Sequence, residues 1–307
     1  MAVHVTVWDD RDRGGENPGP TASAVPVSPM TAAAPALFVH NIFTWGSDPT
    51  YGFAGQRPLA DSRRLLLMDR RGYGDSPDTA RSDFEIDAED IVEVLGETFA
   101  AGLGGAHLVG HGNGAVAALI AAARRPDLVR SLALVQPSAF TAAAHHPIVA
   151  DLLDRMRDGA PGIPDDVTPE RYLRASTEGL GMAMPEPTPR RLRAVATSMG
   201  ERPIWEAEIP LEAIRDAAPP VLVICGSWEH APVAYREHVG LPLVAVAESL
   251  TDSLGGRLLR VPGYYPHTQE PAVVNAALRK FWGRPNVRDS GGPPSARSGR
   301  ISPRCPW

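Results

Sequence analysis

Lysine and cysteine are nearly absent from this chain of 307 residues. Lys280 is its single lysine and the formal net charge is -6, which excludes the basic surface typical of nucleic-acid-binding proteins. Cys225 falls inside an apolar segment and Cys305 lies near the end of the sequence, so neither a disulfide framework nor a thiolate metal site is predicted. Reduced thiols favour a cytoplasmic location.

Long apolar runs are absent as well. No stretch approaches the ~18 apolar residues of a membrane span, and the first residues lack the charged and apolar regions of a signal peptide. The adjacent His145 and His146 have neither the spacing nor the carboxylates of a metal site. We therefore expect a cytoplasmic monomer or homodimer that binds no membrane, nucleic acid, metal or cofactor.

Short apolar segments alternate with segments of helical periodicity along most of the chain. This alternation predicts an α/β protein with a mostly parallel sheet and helices on both faces. The strands are predicted at 3–7, 36–39, 65–68, from 107 onward, 129–135, 221–225 and within 256–263. Helical spacing is found at 84–95, after 112, at 244–255 and at 271–282.

The rhythm of strands and helices breaks in three places. Residues 10–35 are rich in Gly, Pro, Ser and Thr, which predicts an irregular loop. Residues 139–210 contain helical segments separated by Pro and Gly and no convincing strand, so we interpret them as a helical cap inserted into a core of 1–138 and 211–283. Residues 284–307 have the composition of a disordered tail.

A strand, a glycine-rich turn and an alanine-rich helix follow one another from His107 to Pro126. The turn reads Gly110-His111-Gly112-Asn113-Gly114. This order is that of the G-x-S-x-G nucleophile elbow, in which a sharp turn raises a catalytic side chain above the edge of a parallel sheet. The central residue here is Gly112, so the turn lacks the Ser, Cys or Asp that covalent catalysis needs.

Together with two other motifs, the elbow resembles the α/β-hydrolase superfamily. The turn Asp69 to Pro77 resembles the family's D-x-R-G-x-G-x-S segment, and the last strand ends in GYYPHTQEP, where the family places its histidine. The most similar branch is the cap-bearing group of epoxide hydrolases, haloperoxidase-like esterases and C–C hydrolases. The resemblance implies an α/β-hydrolase fold over 3–282. Asp69 and Arg71 are interpreted as structural residues of the turn.

The resemblance also implies catalytic roles at the family's histidine and acid positions. His267 corresponds to the histidine that acts as general base and acid. Glu229, three residues after Gly226, corresponds to the acid that orients the imidazole, although the family more often has Asp there. Tyr264 and Tyr265 precede the histidine, and either is a candidate proton donor.

Further residues are candidates for an oxyanion hole and a ligand pocket. His40 and Asn41 occupy the family's His-Gly turn, and the Asn113 N–H follows the elbow position, so these groups are candidate donors to an oxyanion. Gly112 leaves space for a bulky ligand, and His111 is either a packed elbow residue or a pocket donor, with packing favoured. Three aromatic residues are expected to line an apolar pocket beneath the cap or to belong to the core: Phe43, Trp45 and Trp228.

Two classes of function fit these residues. The first is a non-hydrolytic enzyme that uses His267 and Glu229 on a bulky, partly aromatic small molecule, by cyclisation, C–C bond formation, elimination or epoxide opening. By analogy with relatives in anthraquinone and enediyne pathways, a role in natural-product biosynthesis is expected. The second is a catalytically inactive protein that binds a hydrophobic ligand. A weaker alternative is a hydrolase in which His267 activates water.

Overall fold

A seven-stranded sheet organises the chain in a computed structural model that describes residues 2–9, 33–158 and 163–283. The strands follow the order β1-β3-β2-β4-β5-β6-β7, in which β1 runs antiparallel to β3 and all other neighbours are parallel. Their bounds are Val5–Trp8, Ala36–Val39, Leu65–Met68, Ala106–His111, Val129–Val135, Val221–Gly226 and Arg257–Val261 for β1 to β7. The predicted mostly parallel α/β sheet is confirmed.

The central strands are recognisable in the sequence because both of their faces are covered. Every residue of β2, β3, β4 and β6 is buried, including Cys225 in β6. Fully covered parallel strands form continuous apolar runs and do not alternate with polar residues. Burial raises the pKa of the Cys225 thiol to about 11, so this thiol stays protonated.

Ten α-helices lie in the described part of the chain, besides 3-10 and π segments. Helix α2 starts directly after the elbow and packs between the sheet and α1, whose first turn is capped by the Asp83 carboxylate. The helices α1 to α10 span Phe84–Thr98, Asn113–Arg124, Pro147–Asp158, Pro169–Thr177, Pro189–Met199, Leu211–Ala217, Val233–Tyr235, Leu241–Leu254, Pro266–Gln269 and Pro271–Trp282.

The segment predicted as a cap contains α3, α4 and α5, and the described residues of 139–210 include no strand. Helices α4 and α5 begin in the same way, with a threonine that accepts a bond from the backbone N–H three residues later and a proline at the first helical position. Helix α3 instead packs into the same apolar cluster as α8 and the sheet. The division into core and cap remains a proposal.

Two predictions fall outside the described residues in whole or in large part. These are the irregular loop at 10–35, of which only 33–35 are described, and the tail at 284–307. None of the helices in the described ranges combines the length and the hydropathy that a membrane-spanning helix requires.

Candidate active site at the carboxyl edge of the sheet

The glycine at the elbow keeps the backbone of a nucleophile turn. Gly112 has φ 56° and ψ -117°, which lies in the positive-φ region that non-glycine residues rarely adopt. A Cβ atom at this position would overlap the carboxamide of Asn41. The space where a nucleophile would stand is therefore filled by the side chain of Asn41.

The side chain of Asn41 also accepts a hydrogen bond from the Asn113 N–H, the group predicted to donate to an oxyanion. The Asn113 N–H donates to Asn41 Oδ1 at 2.9 Å, so this N–H is already bonded within the protein. The prediction that it is available to an oxyanion is wrong for this structure. The side-chain carbonyl of Asn41 takes the place that a substrate carbonyl oxygen would occupy.

His40 is a structural residue of the same turn. Its imidazole is completely buried, Nδ1 lies 2.6 Å from the Asn41 carbonyl oxygen, and the Arg70 N–H donates to Nε2 at 3.0 Å. Burial lowers the pKa of His40 to about 3, helped by the Arg70 charge. Both ring nitrogens are thus engaged, and the predicted binding role of the His40 side chain is not supported.

His267 lies fully buried at the start of the short helix α9. Its Nε2 bonds to the Tyr51 carbonyl oxygen at 3.1 Å, while Nδ1 is buried without a hydrogen-bond partner among the described residues. Because a carbonyl oxygen only accepts, Nε2 carries the hydrogen and Nδ1 keeps its lone pair. Burial lowers the pKa of His267 to about 4, although the bond to Tyr51 opposes this shift.

His111 packs against His267, as the sequence favoured. The centroids of the two imidazole rings lie 4.3 Å apart. The centroid of the Phe53 ring lies 6.4 Å from that of His111 and 5.4 Å from that of His267. His111 Nδ1 is likewise buried without a partner in the described ranges. Burial, reinforced by the neighbouring imidazoles of His267 and His40, lowers the pKa of His111 well below its ordinary value.

The predicted pairing of Glu229 with His267 does not form. The Glu229 side chain is 58% exposed, and its carboxylate contacts the Ser227 hydroxyl and the exposed His230 imidazole. Trp228, whose φ is 63°, buries its indole in the core, whereas the next residue, Glu229, lies at the surface. Among the described residues, no carboxylate therefore bonds to His267 Nδ1.

Tyr264 and Tyr265 differ in their surroundings. The Tyr265 hydroxyl lies 2.8 Å from the Tyr235 hydroxyl, and its ring lies 5.1 Å from the ring of Tyr51. Burial, together with the other tyrosines, raises the pKa of Tyr265 well above its ordinary value, so it remains a protonated hydrogen-bond donor. Tyr264 packs its ring on Trp228 and Tyr235.

The aromatic residues predicted to line one pocket are distributed over two clusters. Phe43 packs on Tyr172 of α4, and the Arg190 and Arg191 guanidiniums lie over the Trp45 ring. Trp228 belongs instead to the cluster around Tyr235. Two surface cavities lined by described residues lie elsewhere, one along α4 and one between α8 and His145-His146.

A buried carboxylate beside the elbow was not predicted. Glu201, just after α5, accepts bonds from the Tyr73 hydroxyl at 2.8 Å and from Asn113 Nδ2 at 3.2 Å, and forms an ion pair with Arg70. Burial alone lowers the pKa of Arg70, but the Asp87 and Glu201 carboxylates raise it well above its ordinary value. This network joins α5 to the elbow.

A second buried ion pair supports the loop that holds His267. Arg191 of α5 donates to both Asp48 oxygens at 2.6 and 2.8 Å, and both side chains are almost completely buried. Asp48 also accepts the Tyr51 N–H at 3.3 Å, and the carbonyl of Tyr51 accepts from His267. Helix α5 thus reaches the histidine through Asp48 and Tyr51.

The D-x-R-G turn has the structural role that was predicted. Asp69 accepts the Gly46 and Asp75 N–H groups, and Arg71 forms a two-point ion pair with Asp90 of α1. His4, Asp69 and Asp75 bring one potential ligand atom each within 4.8 Å of one another. The oxygens of Asp69 are bonded to backbone N–H groups, which accounts for this arrangement without an ion.

The order of the strands, the turn at Gly112 and the histidine after β7 define an α/β-hydrolase fold. The sequence model of the family described as alpha/beta hydrolase fold matches residues 35–181, which include β2 to β5 and the elbow. Over this segment the sequence is similar to α/β hydrolases, and the topology of the chain is that of their fold.

Two curated relatives with detectable sequence similarity are lipases. The chain is 31% identical over 151 residues to the sn-1-specific diacylglycerol lipase ABHD11 of Mus musculus, covering 47% of this chain and 48% of that protein. The counterpart from Danio rerio is 28% identical over 140 residues, covering 44% and 43%. The match thus spans about half the length of these relatives.

Solved structures show the same fold at low sequence identity. A putative aryl esterase from Burkholderia cenocepacia has a TM-score of 0.57 at 18% identity, covering 90% of this chain and 92% of that one. A thermophilic esterase from Thermogutta terrifontis gives 0.55 at 17%, covering 91% and 92%. A 2-hydroxy-6-oxo-6-phenylhexa-2,4-dienoate hydrolase from Rhodococcus gives 0.55 at 17%, covering 81% and 90%.

Proposed function

We propose that this protein is an enzyme in which His267 transfers protons on a bulky, partly aromatic small molecule without a covalent intermediate. The observation that carries the proposal is the unpartnered Nδ1 of His267, a buried base whose other nitrogen is fixed by Tyr51. A pKa of about 4 keeps this imidazole neutral at pH 7, in the form that accepts a proton. No role is assigned to Glu229.

The filled elbow favours reactions that need no nucleophile. Gly112 has no side chain, and the Asn41 carboxamide takes the space beside it, so no acyl-enzyme or alkyl-enzyme can form there. Cyclisation, C–C bond formation, elimination and epoxide opening remain the candidate reactions. A place in natural-product biosynthesis stays a prediction.

Hydrolysis by activated water is the second candidate. It is favoured by the relatives, which are named as lipases, esterases and a hydrolase. In this reaction His267 Nδ1 takes a proton from water, and the resulting hydroxide attacks the substrate directly. The fold and the base are the same in both candidates, and they differ only in whether water enters the product.

The test is a panel of aromatic esters, aryl epoxides and aromatic 1,3-diketones, incubated in H2(18)O and examined by mass spectrometry. We expect at least one compound to be converted faster than in buffer, and His267→Gln to slow that conversion by about 100-fold or more. His107→Gln is the matched control, since His107 is also buried but stacks on Trp282 away from the elbow.

Labelling of the product with 18O would identify hydrolysis, and conversion without label would identify a non-hydrolytic reaction. Binding of a panel compound with no conversion would contradict the proposal and favour a ligand-binding protein. Conversion that is unchanged in His267→Gln would also contradict it.

A further inference from the structure

Two neighbouring buried imidazoles each leave one nitrogen unsatisfied. His111 is 3% exposed and His267 is not exposed at all, and their rings lie 4.3 Å apart at an angle of 60°. Nδ1 of each ring has no hydrogen-bond partner within the described residues. Buried polar atoms are nearly always paired, so two such atoms in adjacent rings indicate a missing partner.

The hydrogen positions restrict what that partner can be. His267 Nε2 donates to the Tyr51 carbonyl, which leaves Nδ1 of the neutral ring as an acceptor. A group bound there must donate a hydrogen. Once that hydrogen is transferred, the negative charge left behind needs a donor, and the adjacent ring of His111 has an unsatisfied nitrogen at Nδ1.

We propose that His111 and His267 together bind one hydroxyl group. The His111 Nδ1–H donates to the hydroxyl oxygen, and the hydroxyl donates its hydrogen to His267 Nδ1. This assignment rests on the proton-transfer function proposed above and extends it to a second residue. The hydroxyl belongs either to water, as hydrolysis requires, or to an alcohol or enol of the substrate.

The proton-transfer step then balances between two atoms. The O–H bond breaks, a new N–H bond forms at His267 Nδ1, and the electron pair remains on the oxygen, which is stabilised by the His111 N–H. The Phe53 ring, which contacts both imidazoles, keeps bulk water from competing for the two nitrogens.

The tautomers of the two histidines test this site without any substrate. The full chain is labelled with 15N in its histidine rings, and the signals are assigned with His111→Leu and His267→Leu. At pH 7.5 we expect His111 to carry its hydrogen on Nδ1 and His267 to carry it on Nε2. Any other combination of tautomers would overturn the proposal, whatever the activity measurements show.

Stability provides an independent test with a matched control on the same strand. Since His111 Nδ1 bonds to no described protein group, His111→Leu is expected to melt no lower than the wild type. His107, four positions earlier in β4, lies 2.8 Å from the Ser131 hydroxyl through Nδ1, so His107→Leu is expected to melt lower. An equal loss in both variants would show that His111 is structural.

The source of the hydroxyl is distinguished with two small probes. Benzyl alcohol carries a hydroxyl on an aromatic ring, and toluene has the ring alone. Selective shifts of the His111 and His267 nitrogens by benzyl alcohol indicate an organic hydroxyl. A magnetisation transfer from water to the His111 N–H that neither probe changes indicates bound water. Equal shifts by both probes would contradict a hydroxyl site. The absence of both the selective shifts and the magnetisation transfer would contradict it as well.

Discussion

At the scale of single residues, Gly112 and Asn41 depend on each other. A side chain at position 112 and the Asn41 carboxamide in its present position compete for the same volume. The positive φ of Gly112 adds strain for any larger residue. The elbow is therefore blocked by a second residue as well as deprived of its nucleophile.

We expect Gly112→Ser alone to lower the free energy of unfolding by about 1–3 kcal/mol, because the new side chain overpacks the turn. Asn41→Gly removes the obstacle, so the double variant should recover part of this loss, with a coupling of about 0.5–3 kcal/mol. Urea denaturation of the wild type, the two single variants and the double variant measures this coupling free energy. Additive losses would show that the two side chains do not compete.

Single residues also mark the limit of what the sequence predicts. The position of His267 follows from its place after the last strand, and the structure buries it beside the elbow. Glu229 has the correct spacing but lies outside, because the direction of a side chain after a left-handed residue such as Trp228 cannot be read from spacing. The Asn41 carboxamide was a candidate donor, yet it accepts from Asn113.

At the scale of elements, helix α5 is joined to the loops at the carboxyl edge of the sheet. Thr197 donates to the Gly72 carbonyl, Arg193 to the Gly74 and Ser76 carbonyls, and Arg191 to Asp48. These bonds connect segments that are distant in sequence. Helix α5 therefore helps to position the site and does more than cover it.

We expect Arg191→Met to lower the free energy of unfolding by about 3–5 kcal/mol, because it leaves the buried Asp48 carboxylate without its charge partner. Arg174→Met on the neighbouring helix α4 is the control. Its pairs with Glu170 and Glu178 are about half exposed, so its removal should cost less than about 1 kcal/mol. Thermal and chemical denaturation compare them, and equal losses would refute the structural role of the buried pair.

Strands and helices were more predictable than the contacts between them. Alternating or apolar segments bounded by turns placed all seven strands within a few residues, and burial on both faces gives β2, β3, β4 and β6 their local signal. Glu201 left no such signal. Its partners Arg70, Tyr73 and Asn113 are 88 to 131 residues away, and only the folded chain brings them together.

For the whole molecule, buried histidines make stability depend on pH. Burial lowers the pKa of His40 and His107 to about 3 and that of His267 to about 4, and lowers that of His111 well below 6.5. The unfolded chain therefore binds more protons than the folded one between these values and about 6.5. Stability present above pH 6.5 is lost as the pH falls.

Two buried carboxylates act in the opposite direction, since burial raises the pKa of both Asp69 and Asp87. Burial raises the pKa of Asp87 to about 6, so its folded form gains stability as the pH falls through that value. With four histidines against two carboxylates, we expect the free energy of unfolding to drop by about 4 kcal/mol between pH 7.5 and 5.5.

Urea denaturation at several pH values measures this drop. His107→Leu should reduce the slope by the equivalent of one proton, and His230→Gln, which replaces an imidazole on the surface, should leave it unchanged. A flat profile would show that the histidines are not buried in their neutral forms.

The position of the Asn41 carboxamide beside the elbow has a consequence for interpreting related sequences. A glycine at the centre of an elbow does not by itself indicate a changed function, because it also arises when an enzyme loses its activity by mutation. When an asparagine follows the histidine of the first turn, its carboxamide can occupy the space beside the glycine, and a serine introduced at the elbow would overlap it. Their joint occurrence is therefore a sequence pattern to search for in other chains that resemble α/β hydrolases.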